Sequence, residues 1–227
     1  MGRRQQLIQR GYALLQALPV RAPRRPRIRL ITAYDDAIAD YGDIAAKNHA
    51  DYAARHGYAH HVYRSGFDPS RPPAWSKILF TLRAMRGADW VVWIDADILI
   101  MDQTRRLESF ITPGHDFILG QHQLPNPHAN TGFFFVRRRL WTRALLRHTY
   151  SLTSVIHHPM WEQIAFNILI DQYRLPRLSK VPARNFNSLY SGACAEDVYQ
   201  SGDFLVHFAG QPGKVALMQS FLGQQVR

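Results

Sequence analysis

The chain has 227 residues, 46% of them apolar and 12% aromatic, enough for one well-filled core and inconsistent with a disordered segment. Lys plus Arg number 28 against 17 Asp plus Glu, a formal +11, but eight Arg and no acidic residue fall within the first 29 positions. Such a local excess points to an anionic surface near the N-terminus, either membrane phospholipid or nucleic acid. Cys194 stands alone, which excludes an intrachain disulfide and a cysteine-based zinc site and suits a reducing compartment. No apolar run reaches the ~18 residues needed to span a bilayer. Gln5, Gln6, Gln9 and Arg10 interrupt the N-terminal stretch, so no secretory signal is expected either. The expectation is a cytoplasmic protein that is soluble or peripheral on the inner face of the membrane.

Residues 1–20 read as a basic amphipathic helix, with Leu7, Leu14, Leu15 and Leu18 at helical spacing and Arg3, Arg4 and Arg10 elsewhere on the wheel. The helix either lies on anionic lipid or packs on the rest of the protein. Arg21–Arg27 reads as a stiff Arg/Pro linker, giving a division into residues 1–27 and a catalytic domain over 28–227. Strands and helices then alternate. Ile28–Thr32 is a strand and Asp43–His56 a helix closed by Gly57. Ala59–Tyr63 is a strand, Ala74–Met85 a helix stopped by Gly87, and Trp90–Ile94 a strand. This order predicts an α/β fold, Rossmann-like, with a mixed but mostly parallel sheet and helices on both faces. Further on, 116–119 and 131–136 read as strands and 138–150 as a helix. Residues 161–170 read as a helix with Trp161, Ile164 and Ile168 on one face, and 204–208 as a last strand. Residues 120–130 and 182–203 carry no regular pattern.

The run Trp90–Ile100 carries the chemistry. An apolar strand ends in Asp95 and Asp97, one residue apart. On an extended backbone side chains two apart point the same way, so both carboxylates can reach one cation. Unpaired buried carboxylates are costly, and a divalent metal holding a diphosphate would satisfy them. That is the chemistry of a glycosyltransferase with a nucleotide-sugar donor and an Asp-x-Asp motif. Ligands of parallel sheets bind at the carboxyl ends of strands, where Tyr34-Asp35 and Asp95-Ala-Asp97 both fall. His207, at the end of the apolar run Phe204–Val206, is the candidate third ligand. Two carboxylates and an imidazole suit Mn²⁺, with Mg²⁺ tolerated. The following Gly210-Gln-Pro-Gly-Lys214 lets backbone approach a phosphate and places a lysine beyond it.

The stretches Asn48–Tyr58, Pro73–Ile78, Trp90–Asp97, Asn130–Phe133, Trp161–Gln163 and His207–Gly210 together resemble glycosyltransferase family 34. They come in that family's order and span most of residues 28–215. The resemblance implies a GT-A fold, a nucleotide-sugar donor, Mn²⁺ dependence and retention of anomeric configuration. It implies Asp95, Asp97 and His207 as metal ligands, Tyr34 stacked on the base, Asp35 hydrogen-bonded to the nucleoside, and Lys77 beside the donor. Asn130 would bind a sugar hydroxyl, and Gly210 and Lys214 the donor phosphates. Glu162 and Gln163 would sit near the reacting carbon, with Glu replacing the family's more usual Asp. The donor expected is a UDP-sugar in preference to a GDP-sugar, and the acceptor a glycan or glycolipid. A metal-dependent nucleotidyltransferase or phosphohydrolase using the same carboxylates is the competing reading. A basic nucleic-acid-binding protein is disfavoured, because the charge clusters in the tail and no helix-turn-helix, zinc-knuckle or RNP pattern is present.

Overall fold

The computed structural model describes residues 2–19, 25–123 and 127–225, so the linker expected at 21–27 lies partly outside the described residues. In chain order the elements are α1 (Arg3–Ala17), β1 (Ile28–Ala33), α2 (Ala39–His56), β2 (Ala59–Tyr63), α3 (Ser76–Ala84), β3 (Trp90–Ile94) and β4 (Ile98–Ile100). There follow β5 (Phe117–Gln121), β6 (Ala129–Arg137), α4 (Leu140–Ser151), α5 (Trp161–Gln172), β7 (Leu178–Pro182), β8 (Ser188–Leu189), β9 (Leu205–His207) and α6 (Lys214–Gln225). Gly57 ends α2 in the left-handed conformation, φ 72°, as its place after the helical run requires.

The main sheet has the order β2-β1-β3-β6-β5-β7. β1 pairs in parallel with β2 and β3, and β5 with β7, whereas β6 runs antiparallel to both its neighbours. The expected mostly parallel α/β sheet is therefore present, with one reversed strand inside it. Both faces are buried, which is why β3 and the Phe133–Val136 part of β6 read as unbroken apolar runs. Val91, Trp93, Phe134 and Val136 face one cluster with residues of α3, α4 and α5. Val92, Ile94, Phe133 and Phe135 face the other with Tyr52 and Ala53 of α2. That second face is covered only partly by helix. A small sheet, β4-β9-β8, completes it through Ile98, Ile100 and Leu205.

α1 packs on the domain by a face that takes only Leu15 from the leucine set. Tyr12 joins the larger core cluster, with Ile8 and Leu15 packed against it, and Gln16 is buried. Gln9 exchanges hydrogen bonds with the backbone of Arg174, and the Gln16 Oε1 accepts from the Arg177 N–H. Leu7, Leu14 and Leu18 remain exposed. In α5 the face shared by Trp161, Ile164 and Ile168 is not the core face. Trp161 and Ile168 are exposed, and the core side is Ala165, Phe166 and Leu169. No helix among the described residues is long and apolar enough to cross a membrane.

Candidate active site

β1 and β3 lie side by side, yet the chain leaves β1 for β2 on one side and comes back to β3 on the other. This is the topological switch point at which α/β sheets bind ligands. Tyr34 follows β1 and Asp95 follows β3. The reversed direction of β6 brings its first residues, Asn130 and Thr131, to the same edge. These residues line one cavity of about 600 Å³ together with Asp35, Lys77, Asp97, Glu162, Gln163, His207, Gly210 and Lys214. All the residues singled out in the sequence thus share one space.

Asp95 and Asp97 reach it by a different route from the one expected. They lie in a turn between β3 and β4, closed by the Ile98 N–H donating to the Asp95 carbonyl at 3.3 Å, and not on an extended strand. The antiparallel pairing of Ile98 with His207 then sets the imidazole beside Asp97. Ligand atoms of Asp95, Asp97 and His207 lie within 4.8 Å of one another. Asp97 is 3.3 Å from the His207 Nε2 and 2.7 Å from the Lys214 Nζ. Burial opposes ionisation of Asp97, but His207 and Lys214 outweigh it and hold the carboxyl well below its usual range. Lys214 opens α6 after Gly210 and Gly213, whose φ values of 67° and 65° lie in the left-handed region.

A polar chain fixes the tautomer of His207. The backbone N–H of Gly132 donates to the Asn130 Oδ1 at 2.7 Å, so that atom is the acceptor. The Asn187 Nδ2 donates to the same oxygen at 2.7 Å, which turns the Asn187 Oδ1 towards the His207 Nδ1, 3.1 Å away. His207 therefore carries its proton on Nδ1 when neutral, and its Nε2 lone pair faces the Asp97 carboxylate. Two acceptors 3.3 Å apart need a cation or a proton between them. With Asp95 in reach, the donor set fits a divalent metal, and a hard oxygen-rich set with one imidazole suits Mn²⁺ or Mg²⁺. The chain continues from the Asn130 Nδ2 to His122 at 2.9 Å and from His122 to Asp197 at 3.2 Å. Gly132 is tied to the same arrangement, since a Cβ there would lie 2.4 Å from the His207 Cε1.

Lys77 joins the two carboxylate groups of the site. Its Nζ is 3.0 Å from Asp95 and 2.8 Å from Glu162, and donates to the Thr131 carbonyl at 3.0 Å. Burial pulls its pKa down, but the two carboxylates prevail and raise it, so it is a buried cation and not the solvated helix lysine its spacing also allowed. Trp93 adds an Nε1–H bond to Asp95 at 2.6 Å. The Glu162 Oε1 also accepts from the Thr131 Oγ1 at 3.0 Å, whereas Oε2 has no partner among the described residues. Burial, and then Asp95, raise the Glu162 pKa against the pull of Lys77. The Gln163 Oε1 accepts from the Thr131 N–H at 3.0 Å.

Tyr34 departs from its expected use. Its OH donates to Asp43 at 2.6 Å, the Arg64 guanidinium lies 4.3 Å from the ring centroid, and Gly42 packs so closely that a Cβ would come within 2.4 Å of the ring. The ring is buried, and its pKa is pushed up to about 12 by burial and by Asp43. Arg64 occupies a ring face that base stacking would need. The Asp35 Oδ1 accepts from the Ala37 N–H at 3.1 Å and caps a short 3₁₀ turn at the cavity rim. Asn187, Gly132, Trp93, Thr131 and His122 were not assigned roles from sequence. Asn187 in particular lies in a stretch without periodicity, and only its contacts reveal its place.

Residues 27–124 match the model of the galactosyl transferase GMA12/MNN10 family. Over that stretch, rather less than half of its length, the chain is similar to that glycosyltransferase family. It is 27% identical over 218 residues to an uncharacterised alpha-1,2-galactosyltransferase of Schizosaccharomyces pombe, covering 74% of this chain and 62% of that protein. To a probable alpha-1,6-mannosyltransferase, MNN10, of Saccharomyces cerevisiae it is 25% identical, covering 74% of this chain and 54% of that protein. The chain thus spans little more than half the length of the curated relatives it matches. Among solved structures it is similar to a glycosyltransferase involved in glycosylation of the major capsid of PBCV-1, with TM-score 0.68, 16% identity, and 87% and 100% of the two chains covered. It is similar also to the galactosyltransferase LgtC, solved in complex with donor and acceptor sugar analogues, with TM-score 0.53, 13% identity, and 87% and 95% covered. At these identities the solved structures establish the GT-A fold.

Proposed function

We propose that the chain is a retaining, metal-dependent glycosyltransferase that moves a hexose or pentose from a nucleotide sugar, a UDP-sugar in preference to a GDP-sugar, to a glycan or glycolipid hydroxyl. The observation that carries this reading is the meeting of Asp95, Asp97 and an acceptor nitrogen of His207 at the switch point of a GT-A sheet. A divalent ion held there would supply Lewis-acid neutralisation of the donor's diphosphate. Lys214, at the N-terminus of α6, adds a positive charge and helix-end N–H groups on the same side. Losing such a stabiliser of a charged leaving group typically costs ~10²–10³ in rate.

In the reaction the bond from the sugar C1 to the β-phosphate oxygen breaks, and that oxygen leaves with the bonding pair. A bond forms from C1 to the acceptor oxygen, whose proton passes to the departing phosphate. Glu162, paired with Lys77 at 2.8 Å, lines the cavity, and its carboxylate would stabilise the positive charge that develops on the sugar. A second reading, in which a Glu162 oxygen attacks C1 and a glycosyl ester forms before the acceptor displaces it, requires the buried, unpartnered Oε2 to turn into the cavity when donor binds. Chemical trapping of a sugar on Glu162 would select this route.

The test is incubation with UDP-galactose, UDP-xylose and GDP-mannose in Mn²⁺ or EDTA. Metal-dependent release of nucleoside diphosphate is expected, lost in Asp97→Ala with the fold retained. Release of inorganic phosphate or pyrophosphate would favour the phosphohydrolase or nucleotidyltransferase reading, and equal turnover by Asp97→Ala without metal would rule out the metal site. A location on the cytoplasmic face of a membrane, through residues 1–27, is supported by exposed Leu7, Leu14 and Leu18 beside exposed Arg3, Arg4 and Arg10. Cosedimentation with anionic but not neutral vesicles, weakened by Leu7→Gln with Leu14→Gln, tests that placement.

A further inference from the structure

Trp161 is the first residue of α5, immediately before Glu162, and it lines the cavity. The residue is 48% exposed, although tryptophan is highly buried on average. No ring pairing or cation–π contact of Trp161 is found among the described residues. Its backbone φ is 45°, one of two positive values at non-glycine positions among the described residues. For a bulky side chain that conformation is costly, and it persists only where the surroundings impose it, often at a ligand site. Here the Trp161 N–H donates to the His158 carbonyl at 2.7 Å and fixes the turn. Phe67, Pro72, Pro73, Pro159 and Met160 add apolar lining to the same cavity.

The position of Trp161 along the sheet edge assigns its ligand. Tyr34 and Asp35 follow β1, the metal-binding carboxylates follow β3, and Thr131, which holds Glu162 and Gln163, opens β6 on the far side. A nucleotide sugar and its acceptor have the same linear order: nucleoside, diphosphate, sugar, acceptor. With the diphosphate at Asp97 and the nucleoside at the β1 end, the reacting sugar comes to Glu162 and the acceptor beyond it. We infer that the exposed indole of Trp161 is the acceptor platform, on which a pyranose ring lies with its C–H face against the π system. Indole faces are electron-rich, pyranose C–H groups carry partial positive charge, and apolar residues of the same cavity favour exclusion of water from the contact. The inference rests on the transferase reading above.

The partition of the donor between water and sugar tests it. Purified chain is given Mn²⁺, the donor that wild type turns over, and methyl β-D-galactopyranoside or methyl α-D-mannopyranoside, and the ratio of glycoside product to free sugar is measured. Trp161→Gly removes the indole and suits the positive φ, so it separates loss of the platform from misfolding. The expected result is a fall of about tenfold in that ratio for Trp161→Gly and Trp161→Ala, with most of it restored in Trp161→Phe. A ratio unchanged in Trp161→Gly, or a wild type that no pyranoside diverts from hydrolysis, overturns the platform and leaves the transferase reading in place. A wild type that releases nucleoside diphosphate from no donor overturns both.

Discussion

Replacing Asn187 by Leu removes the acceptor that holds the proton on the His207 Nδ1, 3.1 Å away, while keeping a side chain of similar volume. His207 is then free to carry its proton on Nε2, the atom that faces Asp97, and to rotate. Outer-sphere partners of this kind typically govern ~10–100-fold in metal affinity. That range corresponds to about 1.4–2.7 kcal/mol of binding free energy. The same change strips the Asn130 Oδ1 of one of its two donors and leaves Nδ1–H unsatisfied in a buried position, a stability cost of ~1–3 kcal/mol. The assay is calorimetric titration of Mn²⁺ into protein saturated with nucleoside diphosphate, with thermal unfolding in parallel. Asn187→Asp separates the two effects. It keeps an acceptor for Nδ1–H but sets a carboxylate against the Asn130 Oδ1, so its unfolding temperature should fall while its Mn²⁺ affinity stays within a few-fold of wild type. Gly132→Ala acts from the other side, since its Cβ would lie 2.4 Å from the ring and 2.9 Å from Nδ1. A folded Asn187→Leu protein that binds Mn²⁺ as wild type does would refute the tautomer reasoning.

Lys77→Met leaves Glu162 buried without a cation and Asp95 with one partner fewer, so unfolding free energy in urea should fall by about 3–5 kcal/mol; an unchanged midpoint contradicts the pairing. Lys214→Ala should lower turnover by ~10²–10³ with little change in unfolding temperature, measured as nucleoside diphosphate release at saturating donor. Asp116 is buried, and although burial raises its pKa, its bonds from Arg177 and Trp141 and the charge of Arg139 lower it overall. A depressed carboxyl contributes stability above its ordinary 3.8 and loses it as pH falls through the folded value. Acid titration of unfolding should therefore steepen below that point, and Asp116→Asn should flatten the slope; an identical slope in the variant would remove Asp116 from the acid transition.

The first half of the fold was legible because its elements carry strong local signals. Gly57 and Gly87 close helical runs, Pro73 opens a turn of 3₁₀ helix before α3, and Trp90–Ile94 is apolar at every position because both faces of the sheet are covered. β2 and β3 fall where they were read. The second half was less legible for identifiable reasons. β7, β8 and the three residues of β4 are too short or too polar to show a period of two. α6 was not anticipated because Lys214–Gln225 has a weakly segregated apolar face. The shared face of Trp161, Ile164 and Ile168 was legible, but the pattern does not say whether a stripe meets a core or a cavity.

The site followed a similar division. Residue type and position after a strand sufficed to choose Asp95, Asp97 and His207, but their convergence depends on two facts invisible in a linear pattern. One is strand direction: a strand's alternation reads the same both ways, and only because β6 is reversed do Asn130 and Thr131 arrive at the end of β3 and not at its start. The other is the small second sheet, whose pairing of Ile98 with His207 brings the imidazole to the aspartates from 110 positions away, counted from Asp97 to His207. Lys77 could be read as a solvated helix residue until Glu162 and Asp95 were seen on either side of it. A buried lysine between two buried acids is costly to assemble, and mispaired charges there would be penalised heavily. The same triad that would position Glu162 against the sugar in the proposed reaction therefore also favours the packing of α3 and α5 against the ends of β3 and β6, so the charge arrangement of the proposed chemistry is part of what specifies the fold.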